Sequence, residues 1–142
     1  MPALSASRPQ DIPRGTDSDP AEPDLSDLPI LDPQPLDDLL NLGGSAELIH
    51  ELIALFQEDV PTRLALLQTA LETSDAPQVL MEAHQLKGAL SNMGLARFAE
   101  LASRIESHAR EGQLEKVPGI AGILSVAYEE ALLALNAAYP QN

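Results

Sequence analysis

Across residues 35–139 apolar residues recur at helical spacing, and nowhere does the every-second-residue alternation of a half-buried strand appear. A short helix spelled LDDLLNL is predicted after Pro35, stopped by Gly43 and Gly44. Ser45 then offers an N-cap for a long segment in which Ile49, Leu52, Ile53, Phe56, Val60, Leu64, Leu67 and Leu71 keep one face apolar, with Pro61 expected to kink it. Asp75 and Gln78 have the form of a capping box for a third helix, which runs to Gly94 with Val79, Ala83, Leu86, Leu90 and Met93 as its core stripe. Phe98, Leu101, Ala102, Ile105 and Ala109 mark a fourth helix ending near Gly112. Ile120, Ile123, Leu124, Ala127, Ala131, Ala134, Leu135 and Ala138 lie on one side of a fifth. Short connections force successive helices antiparallel, so the expected fold is all-α, an up-down antiparallel four-helix bundle with a short extra N-terminal helix. Two phenylalanines, two tyrosines and no tryptophan leave the core to leucine, isoleucine, valine and alanine.

The third helix also carries residues that its core stripe does not explain. Lys87 and Gly88 follow His84 by three and four positions, so all three share a face turned away from the core. A glycine inside a helix costs ~1 kcal/mol relative to alanine, and Gly88 neither ends the helix nor makes a turn. Its retention points to clearance beside the imidazole for something that approaches from outside. The turn at Gly94 adds a partner from the next helix. At ~1.5 Å rise per residue, His84 lies ~15 Å before the turn and Glu106 ~18 Å after it, which brings the two to one level on antiparallel helices. Glu106 is therefore the candidate to accept a hydrogen bond from Nδ1–H of His84, leaving Nε2 free as a nucleophile.

His84-Gln85-Leu86-Lys87-Gly88, followed by Met93-Gly94, resembles the histidine-phosphotransfer (HPt) domain of multistep phosphorelays, over about residues 35–139. The resemblance implies a phosphorelay carrier rather than an enzyme. His84 would accept a phosphoryl group from an aspartyl-phosphate receiver domain or a histidine kinase and pass it to the aspartate of a response-regulator receiver. Lys87 would stabilise the phosphoryl charge, Glu106 would orient the imidazole, and Gly88 with Ser91 would lie where the partner docks. The implied partners are a response-regulator receiver domain and a sensor or hybrid histidine kinase, with Mg²⁺ held by the receiver and no cofactor in this chain.

Charge and composition narrow the choice further. A net charge of −14 repels nucleic acid and anionic membrane, and the chain has neither a basic stripe nor an aromatic platform. Eight of the twelve prolines fall in the first 35 residues, so residues 1–34 are expected to be a disordered, acidic tail ahead of the bundle at 35–139. Without cysteine there is no disulfide framework and no thiolate chemistry. No glycine-rich phosphate loop and no compact acidic cluster for Mg²⁺ appear, and the N-terminus lacks the pattern of a secretory signal. A monomeric, cytoplasmic protein is the expectation.

The remaining histidines have simpler explanations. Glu47 and His50 form an ExxH pair, half of what a di-iron bundle site needs, but no second ExxH exists, so no metal site is assigned. His108 near a helix C-terminus suits the helix dipole. A rival class of function is a bundle that inhibits a kinase or response regulator by occupancy, with His84 never phosphorylated.

Overall fold

In a computed structural model, residues 25–141 are described. They form helices only, in the order α1 (Gln34–Asn41), α2 (Ala46–Glu72), α3 (Ala76–Asn92), α4 (Ala96–Arg110), a 3₁₀ turn (Leu114–Lys116), α5 (Val117–Ala121) and α6 (Leu124–Ala138). Helices α2, α3, α4 and α6 make the bundle. Along α2, Ile49, Ile53, Phe56, Val60 and Leu67 are buried, and from α3 and α4 they meet Val79, Ala83, Leu86, Leu90, Phe98, Leu101, Ala102 and Ile105. Phe56 stacks on Tyr128 of α6 with ring centroids 5.2 Å apart.

The local signals act through identifiable bonds. The Ser45 hydroxyl accepts from the Leu48 N–H at 3.2 Å and opens α2, which passes through Pro61 as one continuous helix. The Asp75 carboxylate caps α3 by accepting from Gln78 N–H at 3.2 Å. The other half of the expected capping box does not form. The Gln78 side chain points along α3 to Glu82, at 2.8 Å, while Asp75 N–H donates to Ala70 O in the preceding turn. The expected fifth helix is two. Gly122 follows Pro118 by four residues and breaks the run, so that the segments on either side are bent by 44°. The bend lets Val117 and Ile120 pack on α4 while Leu124, Ala127, Ala131 and Leu135 continue the core; Ala138 is left exposed.

The α3–α4 turn sets the register on which the site depends. Gly94 sits at φ +78°, a left-handed conformation that glycine adopts without strain, and a Cβ there would collide with the carbonyl of Asp32. That carbonyl is close because residues 25–33 are part of the folded unit. Asp32 N–H donates to Gly94 O at 2.7 Å, Arg97 N–H to Pro29 O at 3.1 Å, and the Arg97 guanidinium reaches Leu28 O from Nε at 3.0 Å and Nη2 at 2.7 Å. Leu25 and Leu31 pack against the core. Residues 25–33, which the sequence places in the tail, are thus bonded to the α3–α4 turn and packed on the core. Proline-rich composition rules out helix but leaves backbone carbonyls free, and here Arg97 donates to those of Leu28 and Pro29, while the Gly94 carbonyl accepts from Asp32 N–H. The part of the expected disordered tail at residues 1–24 lies outside the described residues. At the other end, the Tyr139 hydroxyl donates to Asp37 at 2.9 Å, and burial together with that carboxylate pushes the phenol up to about 12.

The strap over the turn gives a direct test. Chains that begin at residue 25 and at residue 34 should differ in melting temperature by about 3–8 °C, the shorter being less stable, since a loss on the order of 1 kcal/mol moves a domain of this size by that much. Equal midpoints would mean that residues 25–33 contribute nothing to the bundle.

Candidate functional site

His84 leaves the outer face of α3 with its side chain 66% exposed, while Ala83 and Leu86 beside it are buried. On α4, Glu106 follows Ile105 into the interior and its side chain is only 3% exposed. The two meet across the α3–α4 interface, with Nδ1 of His84 2.8 Å from Oε2 of Glu106. A carboxylate can only accept, so the proton lies on Nδ1. Nε2 has no hydrogen-bond partner among the described residues and faces outward.

A buried carboxylate needs more than one donor, and Glu106 has three. Lys87 Nζ lies 2.6 Å from Oε1, and Arg110 Nη2, one turn further along α4, donates to Oε2 at 2.8 Å. Burial alone would raise the Glu106 pKa. The hydrogen bonds from Lys87, His84 and Arg110 outweigh it and hold the carboxyl down to about 2. Two cations meet one carboxylate here, which leaves one positive charge uncompensated within this cluster beside His84.

This arrangement differs from the sequence expectation in one respect. Lys87 does not stand free beside the imidazole, because its ammonium is tied to the same carboxylate that holds the ring. Arg110 was not singled out in the sequence, although its i,i+4 spacing from Glu106 marks an ion pair. Gly88 is exposed, and a Cβ there would meet nothing within 4 Å, so no contact within this chain requires glycine at that position. Ser91, one turn on, is also exposed.

Beyond this cluster, Arg63 of α2 bridges to α3 on the side away from α4. It donates to Asp59 at 2.9 Å, Gln85 at 2.5 Å and the buried Glu82 at 3.5 Å. His50 Nε2 lies 3.1 Å from Pro140 O, and His108 Nδ1 lies 3.3 Å from Gln113. Among the described residues no three metal-ligating side chains cluster, and no single helix is long and apolar enough to cross a membrane.

The site is thus an exposed imidazole held at Nδ1 by a buried carboxylate on the neighbouring helix of an all-α bundle. The chain belongs to the Hpt domain family, whose model matches residues 51–138. Two similar proteins are the aerobic respiration control sensor protein ArcB of Escherichia coli (strain K12) and that of Shigella flexneri. Each is 31% identical over 78 residues, which is 55% of this chain, and the match spans 10% of the length of those relatives. The crystal structure of the histidine-containing phosphotransfer protein HptB from Pseudomonas aeruginosa PAO1 shares the fold, with a TM-score of 0.65 and 26% identity over 78% of this chain and 95% of that one. Together these support a histidine phosphotransfer role in phosphorelay signalling.

The depressed Glu106 carboxyl makes stability depend on pH with a defined sign. A carboxyl whose folded pKa is below its unfolded value stabilises the fold fully above about pH 4.5, and this stabilisation is lost as pH falls toward about 2. The melting-temperature gap between wild type and Glu106→Gln should therefore narrow steadily from pH 5 to pH 2. A gap that stays constant across that range would show that Glu106 is not held ionised by its three donors.

Proposed function

We propose that His84 is the phosphoacceptor of a phosphorelay carrier, with Nε2 as the attacking atom. The observation that carries this reading is the bare, outward-facing Nε2 on a ring whose other nitrogen is fixed by a buried carboxylate. The Nε2 lone pair attacks phosphorus in line, the N–P bond forms, and the P–O bond to the donor aspartate breaks with its electron pair returning to that carboxylate. The ring then carries a positive charge with its proton still on Nδ1. Glu106 stabilises that charge, because a carboxyl held near 2 keeps its own charge instead of taking the proton. A phosphoryl group on a cationic ring leaves readily, which suits onward transfer to a second aspartate.

Lys87 and Arg110 surround the carboxylate that holds the ring. In this reading Lys87 turns from Glu106 to the phosphoryl oxygens once the group arrives, since a dianion offers it more charge than a carboxylate already shared among three donors. Gly88 and Ser91 form the face over which the partner's active site closes. That partner is a response-regulator receiver domain, fed by a sensor or hybrid histidine kinase, and any Mg²⁺ belongs to the receiver. The chain works as a monomeric cytoplasmic carrier and has no nucleotide chemistry of its own.

Substitutions separate these roles. His84→Gln should abolish phosphorylation while leaving the helical circular-dichroism signal and melting temperature nearly unchanged, because the side chain is mostly exposed. An acid-labile, base-stable phosphate persisting in that variant would move the acceptor elsewhere. Lys87→Ala should slow transfer about 10-fold or more. Gly88→Ala should raise stability by up to ~1 kcal/mol, whereas Gly88→Gln should melt normally and fail to transfer to a receiver. Wild-type transfer by Gly88→Gln would remove the α3 face from the docking surface.

A further inference from the structure

Gln85 stands beside His84 in the chain but not beside it in space, since neighbouring residues on a helix are turned about 100° apart. It faces α2, on the rim of the surface that carries His84. Its carbonyl oxygen accepts from Arg63 Nη1 at 2.5 Å, and this fixes which way the amide lies: the oxygen is turned inward and the NH₂ group outward. The NH₂ group has no hydrogen-bond partner among the described residues. Arg63 is itself held, by Asp59 at 2.9 Å and by the buried Glu82, which takes a further bond from Gln78 at 2.8 Å. A long arginine tied at three points, with its side chain 27% exposed, is a rigid support rather than a loose surface cation. Arg63 serves stability by meeting the buried Glu82, and its short bond to the exposed Gln85 comes in addition to that role.

We propose that Arg63 is a positioning residue for partner recognition: it holds Gln85 so that the side-chain NH₂ is presented, already oriented, to a hydrogen-bond acceptor on the receiver domain that docks over His84. The inference rests on the reading of His84 as the phosphoacceptor and adds a second contact point toward α2, outside the chemistry. The matching feature on the receiver is a backbone carbonyl or a carboxylate. A pre-oriented donor loses less side-chain entropy on docking than a free glutamine, so the effect belongs to binding rather than to the chemical step.

The test uses the full chain and a receiver domain, charged with acetyl phosphate, that transfers to the wild-type protein. Transfer rates are measured against receiver concentration for Arg63→Met, Gln85→Met and the double variant. Labelling by phosphoramidate, which needs no docking, is measured in parallel. Each single variant should raise KM about 3- to 10-fold with kcat within about twofold, a change of the size that one net hydrogen bond gives. The double variant should be no worse than the poorer single one, because both changes remove the same contact. Phosphoramidate labelling of Arg63→Met should match wild type. A wild-type KM for Gln85→Met overturns the proposal, and this exposed substitution decides the matter even if Arg63→Met fails to fold. A lower melting temperature for Arg63→Met with an unchanged KM also overturns it, leaving Arg63 as a clip between α2 and α3. Multiplying effects in the double variant overturn it too. Should the phosphoryl group received by the wild-type chain prove to sit on a residue other than His84, the reading of His84 fails instead.

Discussion

The Glu106 carboxylate is the constraint around which the site is organised. It is buried, it is charged, and it lies at the interface of the two most closely paired helices, so it must be satisfied by donors from both. His84 and Lys87 reach it from α3 and Arg110 from its own helix, at 2.6–2.8 Å. One carboxylate thus fixes the tautomer of the imidazole, collects two cations around it and links the exposed face to the core. Replacing it by an apolar residue would repack easily but would leave the ring free to rotate and the cations free to repel one another.

That geometry depends on helix register, and register is set ten residues away. His84 and Glu106 meet only if α3 and α4 leave the Gly94 turn at the right angle and height. The positive φ of Gly94, the hydrogen bond from Asp32 and the Arg97 clamp on residues 28 and 29 hold the turn from outside. The strap and the site are separate in sequence and in chemistry, yet they act on the same pair of helices. Gly88 shows the opposite logic. Glycine at 94 is required by a contact inside the molecule, whereas at 88 a side chain would meet nothing within the chain.

Much of this was legible in the chain itself, for physical reasons that also mark where legibility ends. Helical periodicity identified the four bundle helices, and the face carrying His84, Lys87 and Gly88 is local, so spacing alone exposes it. The pairing with Glu106 followed from one turn and a constant rise per residue. The attachment of Lys87 to Glu106 was not legible, because a long flexible side chain can reach several partners and only the packed structure selects one. The links from Arg63 to α3 are not legible for the same reason, since Glu82 and Gln85 lie 19 and 22 residues away. The strap at residues 25–33 reads as tail because proline content reports the absence of helix and says nothing of carbonyls bound by a distant arginine. The break at Gly122 was hidden because the apolar pattern runs through it unbroken.

The central claim is that Glu106 fixes the His84 ring with its proton on Nδ1 and Nε2 bare for phosphoryl attack. Nitrogen–proton correlation NMR of the imidazole, recorded before and after phosphorylation with phosphoramidate, tests it most directly. The account predicts a neutral ring protonated at Nδ1 in the free protein and phosphorus–nitrogen coupling at Nε2 in the phosphorylated one. A ring protonated at Nε2, or coupling that appears at Nδ1, would contradict it.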